Sequence, residues 1–237
     1  MTSERADQPR TSLVSPSAGP VTSRVQVVLW RHGQTTWNAE GRFQGQTDVP
    51  LDDLGRAQAR AAAGLLARLE PRLLVSSDLA RARTTAEALS EVTGLPVELD
   101  RDLRETNGGV FQGLTGAQIR ERHPQDWAAW VSGDPHHRPP GGESRTDVAA
   151  RMLAAVLRTA GRVSGDGLVV LATHGGAARL AVAQLIGLPL ERVGSLGVIS
   201  NTAWTMLERR AGPRSDEWVL VEHNARTLPE PVTIEEG

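Results

Sequence analysis

Two short apolar runs, each closing on His-Gly, constrain this chain more than any other feature. Val25-Gln26-Val27-Val28-Leu29-Trp30 leads into Arg31-His32-Gly33, and Leu168-Val169-Val170-Leu171-Ala172-Thr173 leads into His174-Gly175. Runs this short and this rich in Val and Leu predict buried strands, each followed by a helix-like stretch. Both imidazoles are therefore expected at strand carboxyl ends. That edge of an open α/β sheet is where ligands bind, and a helix start just beyond it favours an anion. The two histidines are expected to face one another across a single anion pocket.

The rest of the chain alternates in the same way. Apolar spacing at Leu54, Ala57, Ala61, Leu65, Leu66 and Leu69 predicts a helix over 53–69, broken by Pro71. A strand over 73–75, a helix to 93 with Asp78 as N-cap, and a strand over 97–99 follow. Next come a helix over 146–160, the strand over 168–173 and a helix over 177–186. Segments 202–207 and 218–223 alternate like strands, the last antiparallel at an edge. The expected fold is α/β, a mostly parallel central sheet with helices on both faces. One domain over 25–226 is expected, between a disordered N-terminal tail, 1–24, and a flexible C-terminal tail, 227–237, both rich in polar residues and proline.

Composition narrows the chemistry. With 26 basic against 28 acidic residues, neither nucleic acid nor an anionic membrane is an expected partner. No cysteine is present, which excludes disulfides, thiolate catalysis and cysteine-ligated metal. The chain has no lysine and no tyrosine, so every fixed positive charge is an arginine and Schiff-base chemistry is unavailable. No stretch approaches a transmembrane length and no signal peptide is apparent, so a cytoplasmic address is the default expectation.

Polar residues cluster behind the strands. Gln34, Thr35, Thr36 and Asn38 follow the first His-Gly as candidate phosphate donors. The stretch from Ser76-Ser77-Asp78 through Arg81 and Arg83 follows the second strand, and Leu103-Arg104-Glu105 supplies a carboxylate after the third. In order the chain reads strand-RHG-x(3)-W-N, F-x-G-x-x-D, SSxLxRAxxTA, LRE, strand-THG. That order resembles the histidine phosphatase superfamily, the group containing cofactor-dependent phosphoglycerate mutase, over residues 25 to 224. The resemblance implies a phosphoglycerate mutase-like fold with a small helical cap. It implies His32 as the phosphorylated nucleophile, Glu105 as proton donor, and Arg31, Arg81 and His174 completing the phosphate pocket. Asn38, Gln44, Gly45 and Gly175 are carried over as phosphate- or substrate-binding positions. Arg81 is taken over Arg83, which is expected to face solvent or a carboxylate.

The chemistry fits those residue types. A neutral imidazole held by its second nitrogen is a good nucleophile, and preorganised donors stabilise charge on the moving phosphoryl group without metal or cofactor. Glu105 is expected to be protonated beside the bound dianion and then to act as base for water. A metal hydrolase using His32, His174 and a carboxylate, with His136 and His137, is the rival; no metal-ligand spacing supports it. A non-catalytic phosphate-binding member is a third reading.

Mutases of the superfamily carry a longer insertion with Lys and Tyr ligands. Here Glu105 runs into Thr106-Asn107-Gly108-Gly109, which favours hydrolysis. The strings HGQT, QGQTD, SSDLARA, LRET, QGLTGAQI and PGGESRTDVAAR carry the resemblance beyond the catalytic core. They imply a small phosphorylated metabolite as partner, a sugar or sugar acid such as glucosyl-3-phosphoglycerate. Broad-specificity or ribazole-type hydrolysis and phosphoglycerate mutation are the alternatives. Trp37 departs from the pattern, which has Tyr there. The stretch 107–143, with Gln112, Trp127, Trp130 and Arg138, is the expected cap; Trp127 and Trp130 read as core, Arg138 as a surface charge or a second anion ligand. A homodimer is common among relatives, though no residue here marks an interface.

Overall fold

The computed structural model describes residues 24–210 and 217–226; the expected tails lie outside these residues except for Arg24. Arg24 is anchored, its backbone N–H donating to Asp166 Oδ1 at 2.7 Å and its side chain pairing with Glu208 at 2.9 Å.

Six strands form one sheet: β1 (Val25–Arg31), β2 (Leu73–Ser76), β3 (Val97–Leu99), β4 (Gly167–Thr173), β5 (Trp204–Arg210) and β6 (Glu217–Ala225), in the order β3-β2-β4-β1-β5-β6. The first four in that order pair in parallel; β5 is antiparallel to β1, and β6 antiparallel to β5 at the edge. The sheet is thus mostly parallel, as expected.

Helices cover both faces. Val25, Val27, Leu29, Val169 and Leu171 point to one side, against α6 (Arg145–Ala160) and α7 (Gly175–Leu185). Val28, Trp30, Leu168, Val170 and Ala172 point to the other, against α2 (Asp53–Leu66) and α3 (Ala80–Thr93). Central strands with helices on both faces bury both sets of side chains, which is why β1 and β4 read as continuous apolar runs. The short α1 (Thr36–Ala39) follows β1, and α4 (Gly116–Arg122) and α5 (Pro124–Ser132) lie within the 107–143 stretch, giving the expected small helical cap.

Register does the decisive positioning. Val25 pairs with Gly167 and every later residue of β1 follows in step, to Arg31 with Thr173. The ladder continues one residue further through His32 N–H donating to Thr173 O at 3.0 Å. His32 and His174 are therefore carried to the same height on adjacent strands.

Three local expectations are corrected. Helix α2 is rotated: Gly55, Ala59, Ala62, Ala63 and Leu66 are buried, while Leu54, Ala57 and Ala61 are exposed. The cause is backbone proximity, because a Cβ at Gly55 would stand 2.0 Å from Gln34 O and one at Gly33 2.3 Å from Gly55 O. Asp78 does not cap α3. It is drawn into a bidentate pair with Arg104, both bonds 2.6 Å, and Asp48 accepts the Ala80 N–H instead at 2.7 Å. Finally, the helix behind His32 is a single turn, so no long helix starts there.

Candidate active site

His32 and His174 are both buried at the end of the β1–β4 pair, their ring centroids 5.1 Å apart. His32 Nδ1 lies 2.7 Å from the Gly33 carbonyl, which can only accept, so Nδ1 carries the proton and Nε2 keeps its lone pair. Burial, and then the charges of Arg81 and Arg31, hold His32 well below the ordinary imidazole range; the Gly33 bond opposes them without prevailing. The ring is thus neutral and fixed. His174 is anchored through its other nitrogen, Nε2, at 2.9 Å from Ser77 Oγ, while Nδ1 is buried with no partner. Burial and the neighbouring Arg81 also push His174 well below the ordinary range, so it is neutral.

His32, Arg31, Arg81, Asn38, Gln44, Gly45 and Glu105 line one cavity of about 190 Å3. Arg81 is fully buried and donates to Thr47 O at 2.9 Å and Gly45 O at 2.7 Å, with Nε unpartnered. Burial pulls its pKa down to about 10, against the opposing charges of Glu105 and Asp48, so it stays cationic at neutral pH. Arg31 is tied to Ile199 O and also has a buried, unpartnered Nε. Two guanidinium groups with free donors in one cavity are a cradle for an oxyanion. Asn38 adds to it: its Oδ1 is taken up by Thr35 N–H, Thr35 Oγ1 and Asn201 Nδ2, which leaves Nδ2 free to donate. Gln44 Oε1 is buried without a partner, and Gly45, at φ 55°, presents its carbonyl to Arg81.

Glu105 stands at the start of α7. Its Oε1 accepts Thr106 N–H at 2.8 Å and Ala177 N–H at 2.9 Å, and its Oε2 accepts Gly176 N–H at 3.0 Å. The approach depends on small residues. A Cβ at Gly176 would stand 2.7 Å from Glu105 Oε1, and one at Gly175 3.2 Å from Arg31 Nε. Gly175 therefore makes room for Arg31, while Gly176 lines the cavity.

The chain's similarities agree with this geometry. A sequence model of the histidine phosphatase superfamily (branch 1) matches residues 27–226. The chain belongs to the histidine phosphatase superfamily. It is 45% identical over 211 residues to a glucosyl-3-phosphoglycerate phosphatase of Mycobacterium tuberculosis (strain CDC 1551 / Oshkosh), covering 84% of this chain and 94% of that one. It is 34% identical over 198 residues to a metal-independent phosphoserine phosphatase of Arabidopsis thaliana, covering 82% of this chain and 79% of that one. A solved mycobacterial glucosyl-3-phosphoglycerate phosphatase with inorganic phosphate superposes with a TM-score of 0.73 at 44% identity, covering 84% of this chain and 97% of that one. As a phosphatase of this superfamily the chain is a phosphoric monoester hydrolase.

Of the other residues considered from the sequence, Trp130 lines the cavity, whereas Gln34, Thr35, Arg83, Arg138 and Trp127 do not. Gln34 is tied to Asp52 at 3.1 Å, and Thr35 is spent on capping α1. Arg83 pairs with Glu87 on the surface at 3.6 Å, as expected. Arg138 is exposed and paired with Asp147 at 2.8 Å, so it stands as a surface charge. Trp127 packs over Gly116, whereas Trp130 reaches the cavity wall, edge-on to Phe43 at 5.5 Å. A wider cavity, about 570 Å3, touches Arg31 from behind but contains neither His32 nor Glu105.

The sequence reading missed the brace behind Glu105. Arg151 donates to Asp102 O, Arg104 O and Glu105 O and clamps both oxygens of Glu143, each bond 2.9 Å or shorter. Burial pushes Glu143 up, but Arg151 and the Asn107 N–H outweigh it and hold the carboxylate below its usual range. Both residues lie within the PGGESRTDVAAR string; only the fold shows what they hold.

Proposed function

We propose that this phosphatase moves the phosphoryl group of a phosphorylated sugar acid, of the glucosyl-3-phosphoglycerate type, to His32 Nε2 and then to water, without metal. The observation that carries the reading is His32 itself: a neutral imidazole, its proton fixed on Nδ1 by Gly33, opens Nε2 onto a cavity walled by two partly unpaired arginines. The relatives named for glucosyl-3-phosphoglycerate supply the substrate class.

The Nε2 lone pair attacks phosphorus in line while Arg31, Arg81 and Asn38 Nδ2 hold the equatorial oxygens. The P–O ester bond breaks, and the leaving alkoxide takes a proton from Glu105. Oε2 is the oxygen for that proton, since it accepts one N–H where Oε1 accepts two. Glu105 then takes a proton from water, the resulting hydroxide attacks phosphorus, and the P–N bond breaks to return neutral His32. When the Ser77 hydroxyl donates to His174 Nε2, Nδ1–H of His174 becomes a further donor. The same reading places a single domain at 25–226. It also puts the enzyme in the cytoplasm, where phosphorylated metabolites are made, and as a homodimer.

His32→Ala is expected to abolish phosphate release with the fold intact, and an acid-labile phosphohistidine is expected in the wild type during turnover. Substantial turnover by His32→Ala refutes the reading. Isomer interconversion without phosphate release would make the protein a mutase instead.

A further inference from the structure

A second cavity, about 310 Å3, opens beside the catalytic one, and the two share Thr106, Trp130 and Gly176 as walls. Thr106 and Gly176 are also two of the residues whose amides hold Glu105. The second cavity therefore lies on the side of the proton donor, where the leaving group must go.

Its other wall carries two guanidinium groups, Arg145 at the start of α6 and Arg179 on α7. Among the described residues their hydrogen bonds go to main-chain carbonyls alone: Arg145 to Trp130 O at 2.7 Å, Arg179 to Val193 O at 2.9 Å and Leu196 O at 2.8 Å. Arg145 NH1 and Arg179 Nε are buried with no partner among the described residues. Arg145 is also stacked on the Trp130 ring, 4.7 Å from its centroid, which fixes the plane of the guanidinium. Burial and then the charge of Arg179 lower the Arg145 pKa against the opposing charge of Asp134, and burial lowers that of Arg179 against Glu105. Glu191 is exposed on the same wall and bridges neither of them.

Two like charges, each anchored by neutral carbonyls and each with a buried donor left over, are arranged for an anion. A fixed guanidinium plane suits a planar, bidentate carboxylate. We infer that Arg145 and Arg179 form a second anion subsite, which receives the carboxylate of a phosphorylated carboxylic acid while its phosphate meets His32. This rests on the phosphatase reading above and deepens it: the subsite selects sugar acids over neutral sugar phosphates.

The test compares 3-phosphoglycerate with glycerol 3-phosphate, the same skeleton with the carboxylate replaced by a hydroxymethyl group. The wild type is expected to favour the acid in kcat/KM by at least about tenfold, the scale of a charged hydrogen bond. Arg145→Gln and Arg179→Gln are each expected to collapse that ratio toward one, chiefly through KM for the acid. The ratio cancels any general loss of active enzyme, so a merely structural role would leave it unmoved. Should either variant fail to fold, the wild type decides alone: glycerate is expected to inhibit competitively at concentrations where glycerol does not. Equal kcat/KM for the two substrates, an unchanged ratio in both variants, or equal inhibition by glycerate and glycerol overturns the subsite while p-nitrophenyl phosphate hydrolysis still upholds the phosphatase reading. Absence of phosphate release from every one of these esters overturns that reading itself.

Discussion

Gly176→Ala isolates the position of Glu105 from its chemistry. An alanine Cβ there would stand 2.7 Å from Glu105 Oε1 and 3.2 Å from Oε2, where ordinary contact begins near 3.4 Å. The carboxylate must therefore retreat by about 0.7 Å, and the bonds from Gly176 and Ala177 hold it on the side of the clash. Because misplacement by about 1 Å can cost on the order of 100-fold, proton donation to an alkoxide should slow by about 10- to 100-fold, or ~1.4–2.8 kcal/mol. Stability should change little, since alanine favours a helix over glycine by about 1 kcal/mol and Gly176 is exposed. The assay pairs an alkyl phosphate with p-nitrophenyl phosphate. The nitrophenolate burst reads phosphorylation of His32 with a leaving group that needs no acid, and it should persist at near wild-type rate. Turnover of the alkyl phosphate should fall. An alkyl phosphate kcat within twofold of wild type, in a folded variant, would refute the reasoning.

Buried neutral His32 and His174 have lowered pKa values, so the unfolded chain takes up protons below about pH 6.5 that the folded chain does not; stability should fall as pH drops below 6.5, by up to about 1.4 kcal/mol per unit for each, as read by urea unfolding at pH 7.5 and 5.5. The acid limb of kcat/KM should likewise lie below 6.5, and a midpoint above it would remove His32 as nucleophile. Arg151→Met leaves the half-buried Glu143 without its guanidinium, held by the Asn107 N–H and Gln46 Nε2, and should cost about 1.5–3 kcal/mol in denaturant unfolding, part of it recovered by adding Glu143→Leu. Inorganic phosphate should raise the melting temperature, by the equivalent of about 2.7 kcal/mol at 100 times its Kd, and Arg81→Leu should abolish the shift. Chelators should leave hydrolysis unchanged; inhibition by EDTA would revive the metal-hydrolase alternative.

The strands that set the site were legible because β1 and β4 are buried on both faces, so burial writes itself into the sequence as runs rich in Val and Leu, interrupted in β1 by Gln26. Helix α2 was legible in extent and not in rotation. A heptad-like reading weights Leu54, whereas the backbone contact of Gly33 and Gly55 turns the small residues inward. Asp78 shows the same limit: a capping residue by local rule, it was claimed by Arg104, a partner the sequence places far away. The residues that line the cavity lie in local motifs. Arg151 and Ser77 also lie in such strings, but what they hold was not legible, because main-chain carbonyls and a second histidine are brought to them by the fold.

The two His-Gly motifs look equivalent in sequence and become different through one hydrogen bond each. His32 is tied by Nδ1 to a carbonyl, which fixes its tautomer and leaves Nε2 as a lone pair. His174 is tied by Nε2 to a hydroxyl, which can donate or accept and so sets no tautomer, and its Nδ1 has no partner among the described residues. The glycines differ as well. Gly33 lets the loop close on Gly55 behind His32, whereas Gly175 and Gly176 admit Arg31 and Glu105 in front of the second histidine. In-register pairing of β1 with β4 sets the heights of both rings. Exchanging the anchors would exchange the roles, so Ser77→Ala, which frees His174 Nε2, should weaken phosphate binding more than it slows attack by His32. A rise in the phosphate Kd with the nitrophenolate burst rate retained is the expected signature, and loss of the burst at saturating substrate would contradict it.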